Sequence, residues 1–84
     1  MNVPNITLNE EFVLSQIKDV RYFYDDSLTI CVITTLSGFK VTGESHCFNM
    51  ERYDRVVGME SARAKATDKL FSHIAYYLKT ISNN

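Results

Sequence analysis

The feature that most constrains the fold is a long series of apolar residues near the C-terminus, spaced three and four residues apart. The series comprises Met59, Ala62, Ala66, Leu70, Ile74, Leu78 and Ile81. This spacing places its members on one side of a single amphipathic α-helix. Because only one side of such a helix is apolar, the rest of the chain must provide a surface that covers it. The small residues in its first half predict a close approach to that surface.

The residues before this helix have the pattern of antiparallel β-strands. β-branched and aromatic residues dominate residues 20–24, 28–36 and 39–48. Asp25-Asp26-Ser27 predicts a three-residue turn between the first two strands. Ser37-Gly38 predicts a two-residue hairpin turn between the second and third strands, because glycine readily adopts the positive φ of primed turns.

These two turns predict which side chains share a face of the sheet. The predicted core face carries Val20, Tyr22, Tyr24, Ile30, Val32, Thr34, Leu36, Phe39, Val41, Gly43 and Ser45. The predicted solvent face carries Arg21, Phe23, Thr29, Cys31, Ile33, Thr35, Lys40, Thr42, Glu44 and His46. A glycine at the centre of the core face predicts that a helix backbone packs closely against Gly43.

The order of elements predicts a two-layer α+β domain. Thr7-Leu8-Asn9-Glu10 matches a capping box, so we expect a first helix from about Leu8 to Ile17, and Asn49 is a suitable N-cap for the last helix. The expected fold is a three-stranded antiparallel sheet with both helices on one face. A chain of 84 residues forms a single domain, 1–84, and we expect residues 1–6 and 82–84 to fray.

Charge and hydropathy argue against two classes of protein. The chain has 9 basic and 10 acidic residues, so it lacks the basic excess typical of nucleic-acid-binding proteins. No stretch approaches the roughly 18 apolar residues of a membrane span. The first residues lack the basic and apolar segments of a signal peptide, so we expect a cytoplasmic location.

The reactive side chains do not form a recognisable catalytic or metal site. His46, Cys47, Cys31 and His73 lack the paired short spacing of zinc ligands, so we expect no metal and no other cofactor. Cys31 and His46 share the predicted solvent face and are the one available nucleophile and base. No third group orients them, and Glu44 beside Cys31 is expected to raise the pKa of the thiol. We therefore expect no catalytic residues and no enzymatic activity.

One strand resembles a known group of proteins. The segment Phe39-Lys40-Val41-Thr42-Gly43-Glu44-Ser45 is similar to a strand motif of small tailed-phage proteins from enterobacterial podoviruses and their relatives. The similarity extends over roughly residues 6–80 and includes Tyr53-Asp54, Gly58, the stretch from Ala62 to Ala66, and Tyr77-Leu78. The chain has Ser37 where the turn in that family often has Asn, and it lacks the Trp often found in the second helix. The resemblance implies a phage-encoded accessory protein of the host cytoplasm, with no assigned reaction.

The first functional hypothesis is binding to another protein through the predicted solvent face. The residues predicted to form this interface are Arg21, Phe23, Cys31, Ile33, Lys40 and Thr42. A mixture of apolar and polar residues that includes an aromatic ring and an arginine is typical of protein interfaces. The partner classes left open are a host protein, another phage protein and a second copy forming a homodimer.

The alternative hypothesis is binding to RNA or DNA through Arg63, Lys65 and Lys69 near the start of the last helix. Double-stranded-RNA-binding domains have the same order of elements and contact phosphates from a similar position. Glu60 and Asp68 reduce the positive charge of this region. The sequence therefore favours protein binding over nucleic-acid binding.

Overall fold

The computed structural model describes residues 9–82. Its elements are α1 (Glu10–Ser15), β1 (Ile17–Asp25), β2 (Leu28–Thr35), β3 (Lys40–His46), a 3-10 turn (Met50–Arg52) and α2 (Arg55–Ser82). The strands form one antiparallel sheet in the order β1-β2-β3. The α+β arrangement predicted from the sequence is confirmed.

The first helix is shorter than predicted. Asn9 is its N-cap, and its side-chain oxygen accepts a hydrogen bond of 2.8 Å from the amide of Phe12. The helix ends at Ser15 and β1 begins at Ile17, so the prediction that the helix continues to Ile17 is wrong. The predicted capping residue Thr7 lies outside the described residues, as do most of the ends that were expected to fray.

The turn between β2 and β3 has one residue more than predicted. The Thr35 amide donates to the Phe39 carbonyl at 2.8 Å, and the Gly38 amide donates to the Thr35 carbonyl at 2.9 Å. Residues 36–38 therefore form a three-residue loop. Gly38 has a φ of 91°, the left-handed conformation that closes such loops. One additional loop residue shifts the pairing of the two strands by one position.

The turn between β1 and β2 has one residue fewer than predicted. Asp25 pairs with Leu28, so the loop contains only Asp26 and Ser27. Asp26 has a φ of 51°, as the first central residue of a primed hairpin turn requires. A shift of one residue exchanges the two faces of the next strand, and two such shifts restore the original face. β1 and β3 have the predicted orientation, and only β2 is inverted.

The inversion of β2 places Cys31 and Ile33 in the core. Both residues have 0% exposure, so the prediction that they lie on the solvent face is wrong. Thr29 and Thr35 are also buried on this side. The buried apolar residues of the core are Val13, Cys31, Ile33, Val41, Ala62, Ala66 and Leu70. Since they come from α1, α2 and the sheet, both helices pack on one face, as predicted.

The backbone of α2 crosses the sheet directly above Gly43. A Cβ atom at this position would overlap the carbonyl oxygen of Ala62 and the amide nitrogen of Ala66. The predicted close approach at Gly43 is therefore confirmed. It explains why the half of α2 above the sheet buries alanines.

The last helix begins at Arg55, later than the predicted cap at Asn49 implied. Asn49 caps the 3-10 turn by accepting a hydrogen bond from Glu51, whereas Asp54 caps α2 by accepting one from Val56 at 2.9 Å. The helix has 28 residues and is about 42 Å long. The Arg55 guanidinium lies over the Tyr24 ring at one end of the sheet.

The C-terminal turns of α2 extend past the sheet. His73 contacts the Phe39 ring edge-on at the end of the sheet that carries the β2–β3 loop, with 5.1 Å between ring centroids. About two further turns follow His73. Exposed aromatic side chains such as Tyr76 and Tyr77 are found here.

Candidate protein-binding surface

The sheet face opposite α2 is formed by alternate residues of all three strands, and we call it the open face. Its residues are Asp19, Arg21, Phe23 and Asp25 on β1, Leu28, Ile30, Val32 and Thr34 on β2, and Lys40, Thr42, Glu44 and His46 on β3. Within residues 9–82 no helix covers this face, because both helices contribute to the core on the other side. The open face is therefore a sheet surface that neither described helix covers.

The centre of the open face is apolar. Leu28, Ile30 and Val32 lie along the middle strand, and Phe23 lies beside Ile30 on β1. The Phe23 side chain is 53% exposed. These four residues form what we call the apolar stripe. An apolar centre with a polar surround is the usual composition of a protein interface.

Charged and polar side chains occupy the two outer strands of the open face. The Arg21 Nε donates to Asp19 Oδ2 at 2.9 Å on β1. On the other side of β2, the Lys40 Nζ donates to the Thr34 hydroxyl at 2.9 Å. A shallow depression of about 590 Å³ lies between these groups, with Val32 in its lining. Both sides of the apolar stripe thus carry groups that can form ion pairs or hydrogen bonds with a partner.

The structure brings together most of the predicted interface, but not all of it. The predicted residues that lie on the open face are Arg21, Phe23, Lys40 and Thr42. Cys31 and Ile33 lie on the opposite side of the sheet, in the core. Ile30 and Val32 occupy the open-face positions that were predicted for Cys31 and Ile33. The sequence did contain a signal for Ile30 and Val32, because β2 is apolar at every position from Ile30 to Ile33.

The proposed nucleophile and base are on opposite sides of the sheet. Cys31 lies in the core beside Tyr22, whereas His46 lies on the open face. Burial raises the pKa of the Cys31 thiol, which keeps it protonated and poorly nucleophilic. The expectation that Cys31 and His46 share a face is therefore wrong.

The three basic residues of the nucleic-acid hypothesis do not form one patch. Arg63 reaches Tyr22 on the β1 side of α2. Lys65 and Lys69 line a depression on the β3 side together with Asp68. The body of α2 separates the two groups, and a carboxylate lies next to the lysines. This geometry does not favour a continuous phosphate-binding surface.

Sequence comparison identifies the family. Residues 6–81 match the model of the Phage protein (N4 Gp49/phage Sf6 gene 66) family. The chain belongs to this phage protein family. The matched range contains α1, the whole sheet and nearly all of α2. The resemblance to small phage proteins is confirmed, and the protein is phage-encoded. No curated protein and no solved structure matches the chain.

The phage protein shows neither a metal-binding cluster nor a disulfide in the part of the chain that the structure describes. No group of three or more His, Cys, Asp or Glu side chains within it could hold a metal ion. Cys31 and Cys47 are both free thiols, and the Cys47 Sγ donates to the Asn49 carbonyl at 3.0 Å. None of the helices between residues 9 and 82 has both the length and the apolar character that a membrane crossing requires.

The stability of the phage protein is expected to fall in alkaline solution. Burial is the main reason that the pKa values of Tyr22 and Cys31 are raised in the folded state. The unfolded chain therefore loses these protons first, from about pH 9.0 for the thiol and pH 10.0 for the phenol. Their contribution to stability is complete well below pH 9.0 and decreases as the pH rises toward the folded-state pKa values.

Urea unfolding at neutral pH and at pH 9–10 measures this effect. Cys31→Ala should lose less stability over this range than the wild type, because the titrating thiol is absent. Equal losses in the two proteins would contradict a buried, protonated Cys31.

Proposed function

We propose that this phage protein acts without catalysing a reaction, by binding another protein through the open face, in the host cytoplasm. The single observation that carries the proposal is the apolar stripe, in which Phe23 is exposed and the three β2 residues are half-buried, with neither described helix over them. Covering such a stripe releases about 25 cal/mol for each Å² of apolar surface removed from water. A host protein as the partner would give the phage a means to modulate a host system.

The side-chain pattern of β2 supports the proposal. Cys31 and Ile33 point into the core, while Ile30 and Val32 point outward from the same strand. Antiparallel strands with one solvated face usually alternate apolar and polar residues, whereas strands covered on both faces are apolar throughout. β2 has an uninterrupted apolar run from Ile30 to Ile33, although the described part of the chain covers only one of its faces. A partner on the open face would account for this pattern.

Ile30→Asp is expected to abolish capture of the partner, because it places a charge at the centre of the apolar stripe. Buried unpaired charges are strongly unfavourable at interfaces, so we expect affinity to fall at least about tenfold. The measurement is affinity capture from lysate of infected host cells with tagged protein, quantified by mass spectrometry. Ala64→Asp is the matched control, because Ala64 is exposed on α2, on the other side of the molecule.

Circular dichroism and thermal unfolding establish that both variants are folded. If folded Ile30→Asp captures the same proteins as the wild type, the open face is not the binding surface. Nuclease treatment of the lysate tests the alternative hypothesis that the protein binds RNA or DNA. Loss of every partner on nuclease treatment would favour nucleic-acid binding instead.

A further inference from the structure

We propose that the open face binds a second copy of the same protein, with the two sheets packed face to face and their strands running parallel. This inference rests on the proposed function, since it names the partner of the same surface. It is based on the arrangement of charges around the apolar stripe.

The charges at the two ends of the open face follow the same rule. At the end of the sheet that carries the β2–β3 loop, Asp19 on β1 and Lys40 on β3 flank Thr34. At the other end, Asp25 on β1 and His46 on β3 flank Leu28. β1 therefore contributes a carboxylate at each end, and β3 contributes a nitrogen base. The ends of the open face therefore carry complementary groups on the two outer strands, and between the ends Arg21 pairs with Asp19 on β1 and Glu44 lies 3.7 Å from His46 on β3.

Most dimers of identical chains have a two-fold axis, and the axis determines which residues meet. If it runs parallel to the strands, β1 of one copy lies over β3 of the other. Asp19 then faces Lys40 of the second copy, and Asp25 faces its His46. Each of these contacts occurs twice in the dimer. At the centre, Ile30 and Val32 pack against the same residues of the second copy.

The other way of packing the two open faces has an axis across the strands. β1 then lies over β1 of the second copy in the reverse direction. Asp19 meets Asp25, so two carboxylates face each other at both ends of β1. On the other edge Lys40 meets His46, which carries a charge only when it is protonated, so the repulsion comes from the carboxylates. Facing like charges disfavour an interface, whereas the parallel arrangement pairs opposite groups. The charges therefore select the parallel arrangement.

The size of the open face predicts a weak dimer. Three strands about 4.8 Å apart and about 27 Å long present roughly 400 Å² in projection on each copy. Stable interfaces of standard size bury about 800 Å² on each partner. We therefore expect association in the micromolar range, with monomers at low concentration. Aligned sheets of this kind pack about 10 Å apart.

The test uses two charge reversals and their mixture, measured by sedimentation velocity. Wild-type protein should shift from its 9.7 kDa monomer toward twice that mass as its concentration rises. Lys40→Asp and Asp19→Lys should each weaken association about tenfold, because each creates two like-charge contacts in the symmetric dimer. An equimolar mixture should recover the wild-type affinity. In the mixed dimer the two reversed side chains face each other at one contact and the unchanged Asp19 and Lys40 face each other at the other, so both contacts pair opposite charges.

Recovery on mixing supports the parallel dimer and also shows that both variants are folded. A wild-type protein that stays monomeric at millimolar concentration overturns the inference, and so does a mixture that associates no better than its components. Either result leaves the proposed function standing if Ile30→Asp still abolishes capture of a different protein. The two failures are therefore distinguishable.

Discussion

Gly43→Ala is expected to destabilise the protein by about 3 kcal/mol, because the new methyl group has no space beneath α2. The atoms it would overlap belong to the helix backbone, at the Ala62 carbonyl and the Ala66 amide. A flexible side chain could move aside, but a backbone can do so only if the helix shifts away from the sheet. A domain of 84 residues has a total stability of roughly 4–13 kcal/mol, so this loss is large.

Chemical denaturation followed by circular dichroism measures the difference. Gly38→Ala is the control, because a Cβ atom there meets nothing within 4 Å and only the positive φ opposes it. We expect that control to cost about 1 kcal/mol. Shortening the facing side chain with Ala66→Gly should not restore stability to Gly43→Ala. A Gly43→Ala variant as stable as Gly38→Ala would contradict the close approach of helix and sheet.

Cys47 is expected to react with a thiol reagent at least about a hundredfold faster than Cys31 in the native protein. Cys31 has 0% exposure, and burial raises its pKa. Its reaction requires at least local opening of the core, whereas Cys47 is partly accessible. An opening free energy of about 4 kcal/mol slows a reaction roughly a thousandfold. The difference in reactivity therefore reports the burial of one strand face.

Mass spectrometry of peptides from partly labelled protein gives the two rates separately. In concentrated urea the two rates should become similar, which controls for intrinsic reactivity. The experiment also tests the pairing of the strands. If Cys31 and Cys47 react equally fast in the native protein, Cys31 faces solvent, as the sequence pattern had predicted, and the structural register of β2 is wrong.

The order of elements could be predicted because each depends on a local pattern. The spacing from Met59 to Ile81 indicates a helix, and the alternating residues of β1 and β3 indicate strands with one buried face. The close helix contact at Gly43 was also predictable, since a glycine on an apolar strand face has few other roles. These signals act over a few residues and need no knowledge of distant contacts.

The orientation of β2 could not be predicted because its sequence gives no preference. Ile30 and Val32 are as apolar as Cys31 and Ile33, so burial of either pair satisfies the hydrophobic pattern. The length of the loop between β2 and β3 then decides which pair is buried. Gly38 is compatible with both a two-residue and a three-residue hairpin loop. The choice depends on the hydrogen bonds between Thr35 and Phe39, which only the structure reveals.

The uncertain orientation of β2 also affected the prediction of the binding surface. Arg21, Phe23, Lys40 and Thr42 lie on outer strands, whose orientation both turn errors left unchanged. Cys31 and Ile33 lie on the middle strand and were therefore assigned to the wrong side. Apart from Phe23, the residues of the outer strands that face solvent are polar, which makes the orientation of these strands predictable from the sequence.

The similarity of the two sides of β2 has a consequence for the evolution of this family. Adding one residue to the first turn and removing one from the second would rotate β2 by half a turn and leave both outer strands in place. Ile30 and Val32 would then enter the core, and Cys31 and Ile33 would be presented to solvent. Paired length changes at the two turns thus offer relatives a route to a different binding specificity with the same architecture.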